Sequence, residues 1–304
     1  MPNNAKPTLA SPLPDWLTNA LPWPRYLLDT NGYKMHYIDQ GEGPVVLLQH
    51  GNPTWCFLWR KVIALLANEK VRVIAPDLIG FGASDHPRSP SEHSVDFHAN
   101  NLLALVEQLN LRDITIVGQD WGGPVVSVMA TRAPERIHGA VFANTAIRAP
   151  KPPIRVTPFH RFANMPIISD LVFKGANFPV PILHKVQGDP ASIGAFERRA
   201  YAWPLRRWGD RASNLALARM VPTQASHPSV ATLEPVETWA QQFQGPVELV
   251  WGTRDPILGP ALKGTRKLFP NAPVTETAAG HFLQEEVPDV LAGAILRVAG
   301  ISKS

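Results

Sequence analysis

The sequence predicts an α/β fold: a mostly parallel central sheet flanked by helices, with an inserted helical cap. Two observations indicate this class. Short runs of branched apolar residues recur with helical stretches between them, which is typical of parallel strands buried on both faces. The alternation breaks after Asn144 and returns at Pro246, so an insertion into one sheet explains the pattern better than two successive domains.

The strands are predicted from runs that are short, branched and nearly continuous. They cover residues 45–49, 71–76, 114–118, 139–143, 247–251 and 274–277, with a first strand near 33–38. Leucine and valine at helical spacing predict a helix over 95–109, which leads directly into the third of these runs. Residues 1–30 are rich in proline and are expected to form an irregular arm.

We expect three segments in the chain. Residues 1–147 and 225–304 form the two parts of one core domain, and residues 148–224 form the helical cap. The cap segment holds twelve Lys or Arg and four Asp or Glu, a net charge of +8, against −4 for the remainder. Its basic residues are scattered among ten prolines, which favours a solvated face or a weak attraction for anions over nucleic-acid binding.

Composition narrows the class of protein further. No window resembles a transmembrane span or a secretory signal, so a cytoplasmic protein without a membrane partner is expected. Cys56 is the single cysteine, which excludes an internal disulfide, and nothing around it supplies the base that a catalytic thiol needs. The ten histidines are dispersed without metal-ligand spacing, so neither a metal nor a cofactor is expected.

The strongest motif is the run 118–123, Gly-Gln-Asp-Trp-Gly-Gly, between a predicted strand and a helix that begins near Gly122. A tight strand-to-helix turn with small neighbours lifts its central side chain clear of the sheet, where a nucleophile is accessible. The central residue is Asp120 rather than serine, and a carboxylate displaces a leaving group from saturated carbon. The alternative is an aspartate that merely caps the helix.

Two later residues complete the order of a catalytic triad. His281 lies in a loop after the last predicted strand, where this architecture places its base. Asp255 follows the strand 247–251, at the carboxyl end where the site should lie, and would hold the His281 tautomer. Taken singly, a loop histidine and an aspartate before Pro256 are also ordinary turn residues.

A loop after the strand 45–49 supplies candidate hydrogen-bond donors. Asn52 lies where a second oxyanion amide is expected, and its side chain donates as well. Trp121, next to Asp120, offers an indole N–H and no acceptor. Two neutral donors beside the nucleophile suit a large monovalent anion, although Asn52 could equally be a turn residue.

At these residues the chain resembles the haloalkane dehalogenases, which have the α/β-hydrolase fold. The shared runs are 50–54, 58–60, 76–85, 119–124, 251–255 and 280–285. They cover the core, about 25–147 and 225–300. The inserted segment resembles the family's cap less specifically, mainly through Phe196, Tyr201 and Pro204.

The resemblance implies a two-step hydrolysis of a halogenated hydrocarbon without cofactor or metal. Asp120 would form an alkyl ester, and water activated by His281 would hydrolyse it, with Asp255 as the acid. The halide would leave toward the side chains of Asn52 and Trp121, whose backbone N–H groups would also hold the oxyanion. The implied partners are the substrate and the halide, and a homo-oligomer is compatible with the sequence.

Members of the family differ in the position of the triad carboxylate along the sequence. One group of the family carries a Glu acid after the strand that precedes the cap, but residues 142–145 here read Phe-Ala-Asn-Thr. The chain therefore resembles the subfamily with an Asp-His-Asp triad and Asn and Trp as halide donors. Trp203 and Trp208 in the cap remain candidate contributors to the halide site.

Three other functions are weighed against this one. An epoxide hydrolase would use the same Asp120 but needs cap tyrosines as acids, and only Tyr201 of the four tyrosines lies in the cap. A haloacid dehalogenase, such as one acting on fluoroacetate, would need basic residues near the nucleophile. A non-catalytic binding protein on this fold would have no reason to retain all three triad residues.

Overall fold

The computed structural model describes residues 6–154 and 156–301, which build one nine-stranded sheet in the order β1-β2-β3-β5-β4-β6-β7-β8-β9. The strands are β1 (Thr8–Leu9), β2 (Arg25–Thr30), β3 (Tyr33–Gln40), β4 (Val45–Gln49), β5 (Arg72–Pro76), β6 (Ile114–Gln119), β7 (Ile137–Ala143), β8 (Val247–Gly252) and β9 (Val274–Thr277). The six strands from β5 to β9 in this order are parallel, and β1 to β3 add an antiparallel edge.

The described helices cover both faces of this sheet and also form much of the segment that follows β7. They are α1 (Asp15–Thr18), α2 (Arg60–Leu66), α3 (Val95–Gln108), α4 (Gly122–Arg132), α5 (Pro158–Ala163), α6 (Ile168–Asp170), α7 (Ala195–Ala202), α8 (Ala212–Arg219), α9 (Pro228–Gln242), α10 (Leu262–Leu268), α11 (Leu283–Glu286) and α12 (Pro288–Val298). Helices α3, α4 and α9 pack together on one face, and α2 and α12 on the other. Covering both faces leaves β4 wholly buried, as its continuous apolar sequence predicts.

The predicted parallel strands all occur, with ends within two residues of the expected positions. The expectation of an irregular arm over residues 1–30 is wrong, because β2 pairs with β3 along its whole length and β1 pairs with β2. The prolines end at Pro24, one residue before β2 begins, so they delimit the strand rather than prevent it.

Between β7 and α9 the described elements are all helical. They are α5 to α8, a π-helical turn at Leu171–Gly175 and several short 3₁₀ turns. Part of this segment has a small core of its own, in which Phe173 and Leu215 are fully buried against Phe162 and Phe178. In the described part of the chain no helix is long and apolar enough to cross a membrane.

A buried charged cluster fastens the cap to the core. Arg60 of α2 donates two hydrogen bonds to the Glu285 carboxylate, at 2.5 and 2.8 Å, and a third to Glu197 of α7 at 3.2 Å. The hydroxyl of Tyr201, also on α7, donates to Glu285 Oε1 at 2.6 Å. We call Arg60, Glu285 and Tyr201 the cap clamp. Since two of its members belong to the core and one to the cap, it ties the two parts together through buried polar contacts.

Candidate active site

Asp120 occupies the tight turn between β6 and α4. Its φ is +51°, a left-handed conformation that side-chain-bearing residues rarely adopt. A Cβ at Gly122 would collide with the Gln49 carbonyl oxygen, so the turn passes too close to β4 for any residue other than glycine. The strained turn holds the Asp120 carboxylate at the carboxyl edge of the sheet, as the sequence predicts.

Two other predicted residues meet Asp120 at this edge. His281 Nδ1 lies 2.9 Å from Asp255 Oδ2, and its Nε2 lies 3.6 Å from Asp120 Oδ2. His281 and Asp255 are both buried. The structure therefore brings the three predicted triad residues into one line, with the imidazole between the carboxylates.

The electrostatics of this line favour a proton on the imidazole. Burial disfavours the imidazolium, but the charge and hydrogen bond of Asp255 and the charge of Asp120 outweigh it and raise the pKa of His281. Burial also opposes charge on Asp255, yet its contacts with His281 lower the pKa of that carboxyl overall. The pKa of Asp120 is raised by burial, which the charge of His281 and the N–H groups of Trp121 and Asn52 only partly offset.

Two positioning residues were not predicted from the sequence. Asn144, which follows β7, donates to Asp255 Oδ2 at 2.7 Å and accepts from the Gly252 N–H at 2.7 Å. Gln119 donates to the His281 carbonyl oxygen at 3.0 Å. The sequence shows that position 144 carries no carboxylate, but it does not show that Asn144 holds Asp255. Its place at the end of a predicted strand was the available signal.

The loop after β4 places a backbone donor on the Asp120 carboxylate. The Asn52 N–H donates to Asp120 Oδ1 at 2.7 Å. His50 braces this loop, because its Nε2 accepts from the Leu78 N–H at 2.9 Å and its Nδ1 lies 2.9 Å from the Gly51 carbonyl oxygen. Burial lowers the pKa of His50, which keeps it neutral in this bracing role. One carboxylate oxygen of Asp120 is thus engaged by the backbone, and the other faces His281.

The side-chain donors differ in how free they are. Asn52 Nδ2 donates one of its two N–H bonds to the Asn214 carbonyl oxygen of the cap at 3.1 Å, which leaves the second available. The indole N–H of half-buried Trp121 makes no hydrogen bond to any residue in 6–154 or 156–301. Trp121 therefore retains a free N–H donor beside Asp120, and Asn52 retains one of its two side-chain N–H groups.

The two cap tryptophans, Trp203 and Trp208, differ in how far they are buried. Trp208 is 51% exposed, and its ring lies against Gly175 on the outer side of the cap, which argues against a role in halide binding. Trp203 is half-buried, 5.6 Å between ring centroids from Trp55, and its indole N–H is buried without a partner among the described residues. Trp203 is the cap tryptophan that stays a candidate.

A second buried cluster, away from Asp120, has the residue types of a metal site. Ligand atoms of His36, Cys56 and Asp77 lie within 4.8 Å of one another. Asp77 already accepts hydrogen bonds from His36 Nδ1 at 2.7 Å, the Cys56 N–H at 2.6 Å and the Ala83 N–H at 2.9 Å. With its oxygens engaged in this way, Asp77 fixes the turn after β5, and the cluster is structural. Burial raises the pKa of the Cys56 thiol, which also removes it as a nucleophile.

Comparisons with known proteins agree with this geometry. Residues 44–288 match the family described as alpha/beta hydrolase fold. The chain is 32% identical over 274 residues to a haloalkane dehalogenase of Mycolicibacterium paratuberculosis, covering 88% of each chain. It is 30% identical over 279 residues to a cis-3-alkyl-4-alkyloxetan-2-one decarboxylase of Shewanella oneidensis, covering 90% of this chain and 87% of the relative.

The fold is also similar to solved structures. The tetrameric haloalkane dehalogenase DpaA of Paraglaciecola agarilytica NO2 superposes with a TM-score of 0.80 at 27% identity, covering 95% of this chain and 98% of the other. The likeness extends through the inserted segment as well as the sheet, since so little of either chain is left out.

Proposed function

The chain belongs to the haloalkane dehalogenase family of the α/β-hydrolase fold, and from this premise we propose that it hydrolyses haloalkanes through a covalent ester on Asp120. The observation that carries the proposal is the line Asp120–His281–Asp255, with a carboxylate rather than a hydroxyl in the strained turn. A carboxylate in that position attacks saturated carbon without needing a base.

In the first step Asp120 displaces the halide. Asp120 Oδ1 is held by the Asn52 N–H, so Oδ2 is the oxygen that attacks the halogen-bearing carbon in line. The new bond joins Oδ2 to carbon. The carbon–halogen bond breaks, and its electron pair leaves with the halogen, as halide, toward the N–H donors of Trp121 and Asn52. Neutral donors already in place lower the barrier to charge transfer in an apolar site and still permit release of the halide.

In the second step His281 acts as the general base. Nε2 takes a proton from water as its oxygen bonds to the Asp120 carbonyl carbon, and the oxyanion forms on Oδ1, near the backbone N–H groups of Asn52 and Trp121. Collapse breaks the bond from that carbon to Oδ2, which leaves in the alcohol with the proton from His281. Esterification removes the Asp120 charge, which is one cause of the raised His281 pKa. The pKa of His281 is therefore lower in the ester, and more of the imidazole is neutral and able to accept the proton.

The structure weakens two of the rival functions. The Tyr201 hydroxyl, the one cap tyrosine available to an epoxide hydrolase, is fully buried and donates to Glu285. A haloacid dehalogenase would need a cation beside the nucleophile, but within residues 6–154 and 156–301 Asp120 pairs with His281 and with no Lys or Arg. The decarboxylase relative leaves a β-lactone as the competitor to include in any substrate panel.

The test combines substrate choice with isotope labelling. Wild-type protein is assayed for halide release from bromoalkanes, and for turnover of an epoxide, a haloacid and a cis-3,4-dialkyl oxetan-2-one. A single turnover of bromoalkane in heavy-oxygen water should place the label in a peptide containing Asp120 and leave the alcohol unlabelled. Label found only in the alcohol would contradict the ester, and turnover of the oxetanone alone would contradict dehalogenation.

A variant separates the two steps. His281→Phe should release one halide per active site and then stall, because Asp120 attacks without the base but the ester is not hydrolysed. Intact-protein mass spectrometry should detect the alkyl adduct. Steady multiple turnover by His281→Phe would refute the role given to His281.

A further inference from the structure

The outer side of the cap carries a group of exposed apolar side chains between α5 and the π-helical turn. Met165, Ile167, Ile168 and Leu171 are 44%, 73%, 50% and 57% exposed, and we call these four the apolar ridge. Seven of the ten large hydrophobic side chains that are exposed in the described residues lie within 148–224. Contiguous apolar groups of this kind on a protein surface mark sites of interaction.

The backbone holds the ridge outward at a cost. Ile167 has φ +66° and ψ −55°, and the Ile168 N–H donates to the Pro166 carbonyl oxygen at 2.7 Å. This is a γ-turn centred on a β-branched residue, a conformation that is rare and strained. Such strain persists where the surrounding structure imposes it, and it is concentrated at functional segments.

Hydrogen bonds, an ion pair and a buried aromatic ring hold the segment that carries the ridge. The Ser169 hydroxyl donates to the Met165 carbonyl oxygen at 2.7 Å, and Asp170 accepts from Arg219 of α8 at 2.8 Å. Phe173, one turn further on, is fully buried in the small aromatic core of the cap. Since the inward-facing residues of this segment are anchored, the outward ones are not free to fold back under the cap.

The surroundings of the ridge are cationic. Arg161 is exposed one turn before Met165, and Arg206 and Arg207 are exposed immediately before Trp208. Half-exposed Trp208 lies against Gly175, the last residue of the π-helical turn, so it extends the ridge. Asp170, the acidic residue of this segment, is already paired with Arg219 and Lys174. The cap as a whole has a net charge of +8.

We propose that the apolar ridge is a docking surface for an anionic lipid bilayer. Apolar side chains that enter the acyl boundary, a tryptophan at headgroup level and flanking arginines are the combination that binds proteins to such a surface. Pairing of two caps through their ridges would bring exposed Arg161, Arg206 and Arg207 of the two copies together, which opposes a second copy as the occupant. The proposal departs from the expectation of no membrane partner, because exposure of the ridge depends on the fold, and it is independent of the proposed catalysis.

The test is flotation of the full-length protein with vesicles. Half of the samples contain equal parts phosphatidylglycerol and phosphatidylcholine, and half contain phosphatidylcholine alone. The protein should float with the anionic vesicles only, and added salt should weaken binding. Each arginine near an anionic surface is worth about a five-fold gain in binding, so Arg206→Gln with Arg207→Gln should reduce it by roughly 25-fold.

The ridge itself is tested by Ile167→Gly with Leu171→Gln. Glycine relieves the strained turn, so this variant should be at least as stable as wild type to heat and yet lose vesicle binding. Leu65→Gln is the matched control, because Leu65 is an exposed leucine (42%) on core helix α2, and it should bind like wild type. Unchanged binding by the ridge variant, or equal binding to neutral vesicles, would overturn the proposal.

The second copy is the remaining occupant to examine. Sedimentation velocity without lipid should give the same species for wild type and for the ridge variant. An oligomer that the two ridge substitutions dissociate would show that another chain covers the ridge, and would overturn docking to lipid.

Discussion

Replacing Asp255 by asparagine isolates what the charge of the acid contributes. Asp255 Oδ2 accepts from His281 and Asn144, and Oδ1 accepts from the Ile257 N–H at 2.7 Å. An asparagine has one side-chain oxygen, so it can accept hydrogen bonds at only one of these two positions. The Oδ2 position has two donors and the Oδ1 position has one, so the oxygen is expected at the Oδ2 position. Asn144 cannot turn to help, since its oxygen is held by the Gly252 N–H. We therefore expect the substituted side chain to keep its oxygen toward His281 and so to preserve the tautomer.

The loss in rate then comes from the missing negative charge. Breaking a buried charged pair by neutralising one partner costs about 3–5 kcal/mol, which is about 10²–10⁴ in rate if the imidazolium forms only in the transition state. The first step does not use His281, so Asp255→Asn should release its first halide at a near-normal rate. Rapid-mixing measurement of the halide burst and of steady turnover gives the two rates in one experiment.

Two further variants sharpen this test. Asn144→Ala in the Asp255→Asn background removes one of the two donors that orient the new amide, and should lower turnover further by releasing the tautomer. Asn144→Glu in the same background puts a carboxylate beside the former acid and should restore part of the activity. Near-normal turnover in Asp255→Asn alone, or a burst reduced as much as turnover, would refute the reasoning.

Three other predictions test separate parts of the structure. Asn52→Ala should slow halide release by about 10²–10³-fold. Trp121→Phe should abolish any change of fluorescence on bromide titration. If both variants behave like wild type, the halide site lies in the cap instead. Because His281 must be neutral to act as a base, ester hydrolysis should fail as pH drops through the pKa of His281, which Asp255 raises despite burial and which no longer feels the Asp120 charge once the ester has formed. The halide burst should not be lost in the same pH range. Tyr201→Phe removes a hydrogen bond from buried Glu285 and should lower the free energy of unfolding by about 1–3 kcal/mol in urea titration, with no change expected if the cap clamp is unimportant.

The parallel strands could be predicted because burial on both faces makes their sequences continuously apolar. Strand β4, whose five residues are all buried, begins and ends where the sequence places it. The antiparallel strand β2 could not be predicted in this way. Only Leu28 and Thr30 of its six residues are buried, and the strand follows a proline-rich stretch. All six residues pair with β3, and this pairing makes the segment a strand.

The candidate site was predictable where a residue ends a strand. Asp120, Asp255 and His281 each follow a recognisable strand, and parallel strands end at one edge. The supporting contacts were not predictable in the same way. Asn144 and Asp255 are 111 residues apart in sequence, so their hydrogen bond depends on side-chain directions that no spacing encodes. The same holds for Trp208, whose outward position depends on how the cap folds.

The cap clamp has a consequence for the evolution and engineering of this scaffold. The small aromatic core within the cap would by itself favour exchange of the cap between related proteins. The Tyr201 hydroxyl, however, donates to Glu285, which lies on the core domain four residues after His281. A transplanted cap without a phenol at position 201 would leave buried Glu285 without one of its hydrogen-bond donors, a defect that commonly costs more than a point substitution on the surface. We therefore expect libraries that recombine the cap independently of the sequence around His281 to be enriched in unfolded chains.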